Sequence, residues 1–196
     1  MRIITGKAKG CKLKAPKGMT TRPTADRVKE ALFNILGFDV YDANVLDLFA
    51  GSGNLGLEAI SRGAKKVVFV DQDTESTRII KENAEHTKLI AASEIMKCDV
   101  FLALQRLERS KVKFDLLFCD PPYLKDLVQK VLFKVDTMDI LEDGAIIVVE
   151  HDRKDNVDVV LENIVLKRSQ KYGSTVVSFF VFSKNNKLKE NIVEEQ

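Results

Sequence analysis

The sequence predicts an α/β fold: a mostly parallel, seven-stranded sheet with helices on both faces, finished by a C-terminal antiparallel hairpin. Three observations predict it. From Asn44 onward, apolar runs of strand length alternate with amphipathic runs of helical period. A glycine-rich turn, Gly51-Ser52-Gly53-Asn54-Leu55-Gly56, joins the first of these apolar runs to the first amphipathic one. Near the end, two apolar runs are separated by residues 169–174 alone, a gap too short for a helical crossover, so they pair antiparallel at one edge of the sheet.

Residues 1–20, punctuated by Gly6, Gly10 and Gly18, read as a short hairpin or small barrel fragment. Thr24 is a candidate N-cap for a helix in which Val28, Ala31, Leu32, Ile35 and Leu36 recur at helical spacing until Gly37. Strands are expected at 45–49, 66–70, 95–98, 114–119 and 145–150, with helices at 55–61, about 74–88, 100–108 and 124–137 between them. Strands at 163–168 and 175–182 make the hairpin. A parallel sheet finished in this way is the pattern of Rossmann-like class I methyltransferases. The 196 residues thus divide into a small N-terminal hairpin and helix extension over 1–37, a body over 38–184, and a polar tail over 185–196 expected to fray.

Composition narrows the setting. Hydrophobic residues at 45% and charged residues at 31% fit a soluble globular protein. No apolar run approaches the roughly 18 residues of a membrane span, and the N-terminus lacks the apolar core of a signal peptide. Cys11, Cys98 and Cys119 are odd in number and far apart, which fits reduced thiols and a cytoplasmic location. His86 and His151 read as lone histidines, His86 on an exposed helix face, and no metal is expected. Charge is unevenly spread. Residues 1–22 carry seven basic side chains and no acid, whereas the whole chain has a net charge of only +2. A basic arm on a mildly acidic body suits contact with a phosphate backbone, with Arg2, Lys7, Lys9, Lys12, Lys14 and Arg22 as the contacts; the plainer reading is a solvated hairpin kept soluble by its lysines.

Two constellations carry chemistry. The first is the glycine turn after Asp47-Leu48-Phe49-Ala50. Such a turn needs glycine where φ is unusual and where a ligand approaches bare backbone. Asp71 ends the second strand beside it, placed to accept both hydroxyls of a ribose, with Gln72 next. NAD and S-adenosylmethionine share that adenosine half. Three features favour the second: Asp47 inside the strand, suited to the donor's α-ammonium; Asp99 past the third strand, suited to an adenine amino group with Val100 or Phe101 against the ring; and the antiparallel tail. The expected cofactor-binding set is Asp47, Phe49, Ala50, Gly51, Ser52, Gly53, Asp71, Gln72, Asp99 and Val100, with S-adenosylhomocysteine as product. Glu58, on the helix after the turn, either approaches the cofactor or faces solvent.

The second constellation is Asp120-Pro121-Pro122-Tyr123, at the carboxyl end of the fourth strand, where open α/β sheets bind ligands. Two prolines remove two backbone donors, so the loop offers carbonyls and a carboxylate. That surface suits an exocyclic base amine: Asp120 and a proline carbonyl accept its N–H bonds, the lone pair is aimed at the sulfonium methyl, and Tyr123 stacks on an unstacked base. Cys119 reads as a small buried apolar residue.

With these residues placed, the chain resembles the bacterial RsmD family over roughly residues 1–182. The resemblance rests on Arg2-Ile3-Ile4-Thr5-Gly6, on the stretch from Arg22-Pro23-Thr24 through Asp26-Arg27-Val28-Lys29-Glu30 to Phe33, on Asp47-Leu48-Phe49-Ala50-Gly51-Ser52-Gly53, on Asp120-Pro121-Pro122-Tyr123, and on Lys171-Tyr172-Gly173. It implies methylation of guanine N2 in 16S ribosomal RNA, within an assembling 30S subunit, by a monomer without metal. It also gives Arg22 and Thr24 a place on the target-base side of the site, beside the plainer reading of a paired arginine and a helix cap. Asn54 stands where the family often has a small residue. The competing readings are a DNA adenine-N6 or cytosine-N4 methyltransferase, a NAD-dependent oxidoreductase, and a non-catalytic RNA-binding assembly factor.

Overall fold

The computed structural model describes residues 1–16, 23–122, 126–155, 157 and 159–184, with the backbone alone for 23–25. Its contacts divide the chain into two units, Met1–Ala103 and Leu104–Gln196. In the first unit, α1 (Pro23–Leu36) precedes β1 (Asn44–Leu48), α2 (Asn54–Ser61), β2 (Lys66–Asp71), α3 (Thr74–His86) and β3 (Ser93–Lys97). β2 lies between β1 and β3 and is parallel to both. The unit boundary falls inside α4 (Val100–Arg109). The second unit holds β4 (Phe114–Cys119), α5 (Leu127–Asp136), β5 (Leu141–Asp152), β6 (Ile164–Tyr172) and β7 (Thr175–Phe182). The seven strands form one sheet in the order β3-β2-β1-β4-β5-β7-β6.

The apolar runs become strands because both sheet faces are covered. Val45, Leu46 and Leu48 of β1 and Val67, Phe69 and Val70 of β2 are wholly buried. β4 is parallel to β5, while β7 is antiparallel to both β5 and β6. The expected hairpin is therefore present, and it is longer than the apolar pattern indicated. Tyr172 pairs with Thr175 across a two-residue turn in which Gly173 has φ 66°. Ser169 and Lys171 are exposed and Gln170 and Tyr172 half-buried, so no apolar run marked residues 169–172 as strand. β5 likewise starts at Leu141 rather than at residue 145, because Glu142, Asp143 and Gly144 are exposed strand residues ahead of the apolar run.

The start of the molecule differs from expectation in three places, and elsewhere element ends shift by one to three residues, as at β3 and α5. α1 starts at Pro23, which places Thr24 within its first turn and not at the cap; proline at the first helical position has no N–H to leave unsatisfied. β1 ends at Leu48, and Phe49 leaves it with φ 59°. Residues 1–16 contain one isolated antiparallel bridge, Arg2 with Lys12, where a fuller hairpin was expected. His86 is exposed and Cys119 buried, as expected. Among the described residues no helix is long and apolar enough to cross a membrane.

What fixes residues 1–16 is a set of backbone bonds to α2 and α3. The N–H groups of Ile4 and Thr5 donate to Glu58 at 2.8 and 3.0 Å. Lys7 N–H donates to the Ser61 carbonyl and Ala8 N–H to Ser61 Oγ. Gly6, at φ 87°, lies so close to α2 that a Cβ there would stand 1.7 Å from the Ser61 carbonyl oxygen. Glu58 itself is fully buried, so neither reading of it from the sequence holds. Its carboxylate is matched by Lys29 Nζ at 3.2 Å and Arg62 Nε at 2.8 Å as well as by the two amides. Lys29 is equally sealed, donating to the Arg2 carbonyl and to Asn54 Oδ1, both at 2.7 Å. Asn54 thus gains a role at the position where a small residue was expected. The Arg62 guanidinium also lies 4.8 Å from the Phe33 ring centre on α1. Burial holds the Lys29 ammonium below the ordinary lysine range against the pull of Glu58.

A buried pair of this kind is costly to break from one side. Lys29→Met is expected to lower unfolding free energy by about 3–5 kcal/mol, because Glu58 keeps Arg62 but loses its fully buried cation. Urea melts of the two proteins check this; a loss within about 0.5 kcal/mol, the range of ordinary surface substitutions, contradicts it.

Candidate active site

In the first unit, the turn after β1 folds into a shape that ordinary side chains resist. Phe49, Gly51 and Gly53 have φ values of 59°, 56° and 76°. For Phe49, a bulky non-glycine residue, that region costs energy, and such strain gathers at ligand-binding turns. Ala50 N–H donates to the Val70 carbonyl, and Gly53 N–H to the Ala50 carbonyl at 2.7 Å. Gly56 serves packing: a Cβ there would meet the Phe69 ring at 2.3 Å, so α2 lies directly on β2.

The acids expected around this turn sit as follows. Asp71, half-buried at the end of β2, accepts the Gly51 N–H on Oδ2 at 2.8 Å and the Asp73 N–H on Oδ1 at 2.9 Å. It therefore joins the glycine turn to the start of α3, where Asp73 accepts the Ser76 N–H as the helix cap. Asp71 pairs with Lys97 across the β2–β3 register, and its carbonyl accepts the Cys98 N–H, so Asp99 follows one residue later. Asp99 is exposed and caps α4, accepting the Phe101 N–H at 2.9 Å and the Leu102 N–H at 3.3 Å. Val100 is buried, Phe101 half-buried and Gln72 exposed. Asp47 is buried inside β1, its Oδ2 accepting the Gly56 N–H at 2.9 Å. The glycine turn, Asp47 and Asp71 are thus one bonded group, whereas Asp99 is tied to its own helix.

Sequence reasoning missed Asn83. Its side chain is buried on α3 and donates to the Ser52 carbonyl at 2.9 Å. It also exchanges two bonds with the Lys14 backbone. A polar residue in a polar helix gives no sign of this; only the position of Asn83 among the buried positions Ile79, Ile80 and Ala84 hints at it.

Of the basic residues, Arg2, Lys7, Lys9, Lys12 and Lys14 are all exposed. Lys14 Nζ meets Glu82 at 2.8 Å, and Arg2 Nε stands 3.9 Å from Asp26. Arg22 and the side chain of Thr24 lie outside the described residues, as does Tyr123. In the second unit, Asp120 follows β4 directly and is exposed; Pro121 is buried and Pro122 exposed. Among the described residues no cluster of three or more histidine, cysteine, aspartate or glutamate side chains is arranged to hold a metal ion.

This sheet order, with a glycine turn after β1, an acid ending β2 and an antiparallel β7 beside β5, is the class I methyltransferase fold. The solved structure of yhhF from Escherichia coli matches it with a TM-score of 0.83, 31% identity, and coverage of 93% of this chain and 98% of that one. The chain belongs to the RsmD family, whose members share a region described as "Conserved hypothetical protein 95", matched here over residues 1–181. YlbH of Bacillus subtilis (strain 168) is 38% identical over 180 residues, covering 92% of this chain and 98% of its own. Ribosomal RNA small subunit methyltransferase D of Haemophilus influenzae is 34% identical over 182 residues, covering 93% of each. SMU.776, solved in complex with SAH, shares the fold at a TM-score of 0.69 and 17% identity, covering 82% of this chain and 50% of that one.

Burial pushes the Asp47 carboxyl up to about 7, the Gly56 N–H opposing and the Asp71 charge adding to the rise. A carboxyl raised in the fold contributes stability that is present below its unfolded value and lost as pH rises through the folded one. Asp47→Asn removes this titration. Relative to the variant, the wild-type urea midpoint is expected to fall from about pH 4 to about pH 7 and then level off. Parallel profiles across that window contradict the assignment.

Proposed function

We propose that this chain transfers a methyl group from S-adenosylmethionine to the exocyclic N2 amino group of a guanine in 16S ribosomal RNA. The substrate is an assembling 30S subunit, and the enzyme acts as a cytoplasmic monomer. Residues 1–37 form the RNA-binding extension and 38–184 the catalytic body. The observation that carries this reading is an exposed carboxylate, Asp120, released from β4 into two prolines, in a chain with a strained glycine turn after β1. The name of the Haemophilus influenzae relative supports the RNA class, and the SAH-bound relative supports the donor.

The turn fits an adenosyl amino acid. Asp71 presents carboxylate oxygens at the edge of the turn and is half-exposed, as a ribose acceptor must be. Gly51 and Gly53 keep the adjacent backbone bare. Asp47 supplies buried negative character toward an α-ammonium, and Phe49, Ala50, Ser52, Gln72, Asp99 and Val100 complete the holding set. When bound, the donor supplies a methyl group on a positively charged sulfur, already activated as an electrophile.

The remaining work belongs to this chain's own residues. Asp120 and a carbonyl of the Pro121-Pro122 segment accept the two N–H bonds of the base amine and hold its nitrogen in place. The nitrogen lone pair forms the new N–C bond as the C–S bond breaks. Positive charge grows on nitrogen, and the Asp120 carboxylate stabilises it. One proton then leaves nitrogen for that carboxylate or for water. Tyr123 stacks on the base, and Arg22 and Thr24 belong to the target-base side of the site. The prolines, lacking N–H groups, keep donors from competing for the acceptor oxygens.

Asp120→Ala is expected to slow methyl transfer by about 10²-fold or more while leaving S-adenosylhomocysteine binding intact. The assay is methylation of subunits that lack the modification, followed by mass spectrometry of the nucleosides. N2-methylguanosine is the expected product; methylated adenine or cytosine from duplex DNA instead would overturn the proposal. Replacing Lys7, Lys9, Lys12 and Lys14 with glutamine is expected to weaken RNA binding and flatten its salt dependence by up to roughly 0.7–0.9 per lost contact. An unchanged slope counts against the arm.

A further inference from the structure

Asn83 stands apart from the other polar residues of α3 because its side chain makes three hydrogen bonds, all of them to two distant stretches of chain. One side-chain hydrogen goes to the Ser52 carbonyl at 2.9 Å and the other to the Lys14 carbonyl at 3.0 Å. Its oxygen accepts the Lys14 N–H at 2.9 Å. The two bonds with Lys14 reproduce what a neighbouring β-strand would exchange with that residue. The side chain is 1% exposed, so water does not replace these bonds when they are lost.

The Ser52–Gly53 peptide is consequently pinned at both ends. Its carbonyl is held by Asn83, and its N–H donates to the Ala50 carbonyl at 2.7 Å. This peptide lies between Gly51 and Gly53, two residues at positive φ that have little intrinsic preference to stay there. On the other side, Lys14 lies in the basic segment that also carries Lys7, Lys9 and Lys12. The same amide therefore sets the plane of the glycine turn and the course of the basic segment.

We infer that Asn83 is a positioning residue for methyl transfer, which couples the donor-binding turn to the RNA-binding arm so that each ligand tightens the other. The inference rests on the reaction proposed above. Because one buried amide holds both segments, a ligand that favours one placement of that amide in either segment favours it in the other, and the coupling is reciprocal. The hub also separates two faults: a misplaced turn raises the donor requirement, whereas a merely unstable protein loses active enzyme.

Isothermal titration of S-adenosylhomocysteine into the full chain, with and without 16S RNA, tests this. In the wild type, RNA is expected to tighten binding several-fold. Asn83→Ala is expected to weaken binding about tenfold, the equivalent of one buried hydrogen bond, and to abolish the effect of RNA. In steady state its donor KM rises by a similar factor, while kcat at saturating donor changes less than about threefold. Asn83→Asp, which keeps the volume and the bond from the Lys14 N–H, shifts KM in the same direction and serves if Asn83→Ala does not fold. Ala84→Gly, a substitution that weakens the same helix, keeps the wild-type affinity and RNA effect. An Asn83 variant that binds the probe as the wild type does, or that keeps the RNA effect, overturns the coupling. So does a wild type in which RNA leaves affinity unchanged. A wild type that binds no S-adenosylhomocysteine fails earlier, at the donor assignment.

Discussion

A carboxylate sealed from water must be matched by donors on every side, and at Glu58 those donors come from three separate stretches of chain. The Ile4 and Thr5 amides, Lys29 of α1 and Arg62 just past α2 converge on two oxygen atoms. No subset is enough: an unmatched charge in that position costs several kcal/mol, comparable with a large part of a domain's net stability. The N-terminal segment, α1 and α2 must therefore fold together. Because α2 begins at Asn54, itself bonded to Lys29, the glycine turn inherits its position from this ion pair.

The turn needs such a frame because its own conformation is unfavourable. Phe49 at positive φ and two glycines without side-chain restraint would not hold one shape alone. Each end is tied elsewhere. Gly51 is bonded to Asp71 of β2, Ser52 to Asn83 of α3, and Gly56 packs without a side chain against Phe69. Strain is thus held by rigid neighbours on β2 and α3, and the loop carries no long side chain of its own between Ala50 and Gly53.

How far this was legible depends on whether burial follows hydrophobicity. Where it does, as at β4 with its run of Leu116, Leu117, Phe118 and Cys119, the strand was read to the residue. The glycine turn and Asp71 were legible because rare residue types fall at fixed distances from strand ends. Reading failed where polar residues do structural work. Lys29, Glu58 and Asn83 lie on helices where lysine, glutamate and asparagine ordinarily face water, and only for Asn83, set among Ile79, Ile80 and Ala84, does the spacing hint at burial. The exposed end of β6 failed for the opposite reason, since Ser169 and Lys171 form strand without an apolar face. Phe49 failed because an aromatic residue after a strand reads as more strand, whereas the turn takes it into the left-handed region.

The same frame bears on how a basic segment can bind a polyanion without being a loose tail. Flexible lysine-rich arms gain charge contacts but must order their backbone on binding, at roughly 1–2 kcal/mol per residue. Here the backbone is ordered beforehand: Ile4 and Thr5 on Glu58, Lys7 and Ala8 on Ser61, and Lys14 on Asn83. Within residues 1–16, what is left to order is side chains, of which Lys14 already meets Glu82. Along α2, eight residues and thus roughly 12 Å long, the bonded segment runs from Glu58 to Ser61, so Lys7 is held at the end of the helix remote from the glycine turn. In the proposed reaction the arm therefore reads as a preset row of cations, and the entropy that a disordered arm would lose is removed before RNA arrives. Specificity then has to come from the target-base side of the site, because exposed lysines distinguish a phosphate backbone from solvent and not one nucleotide from another.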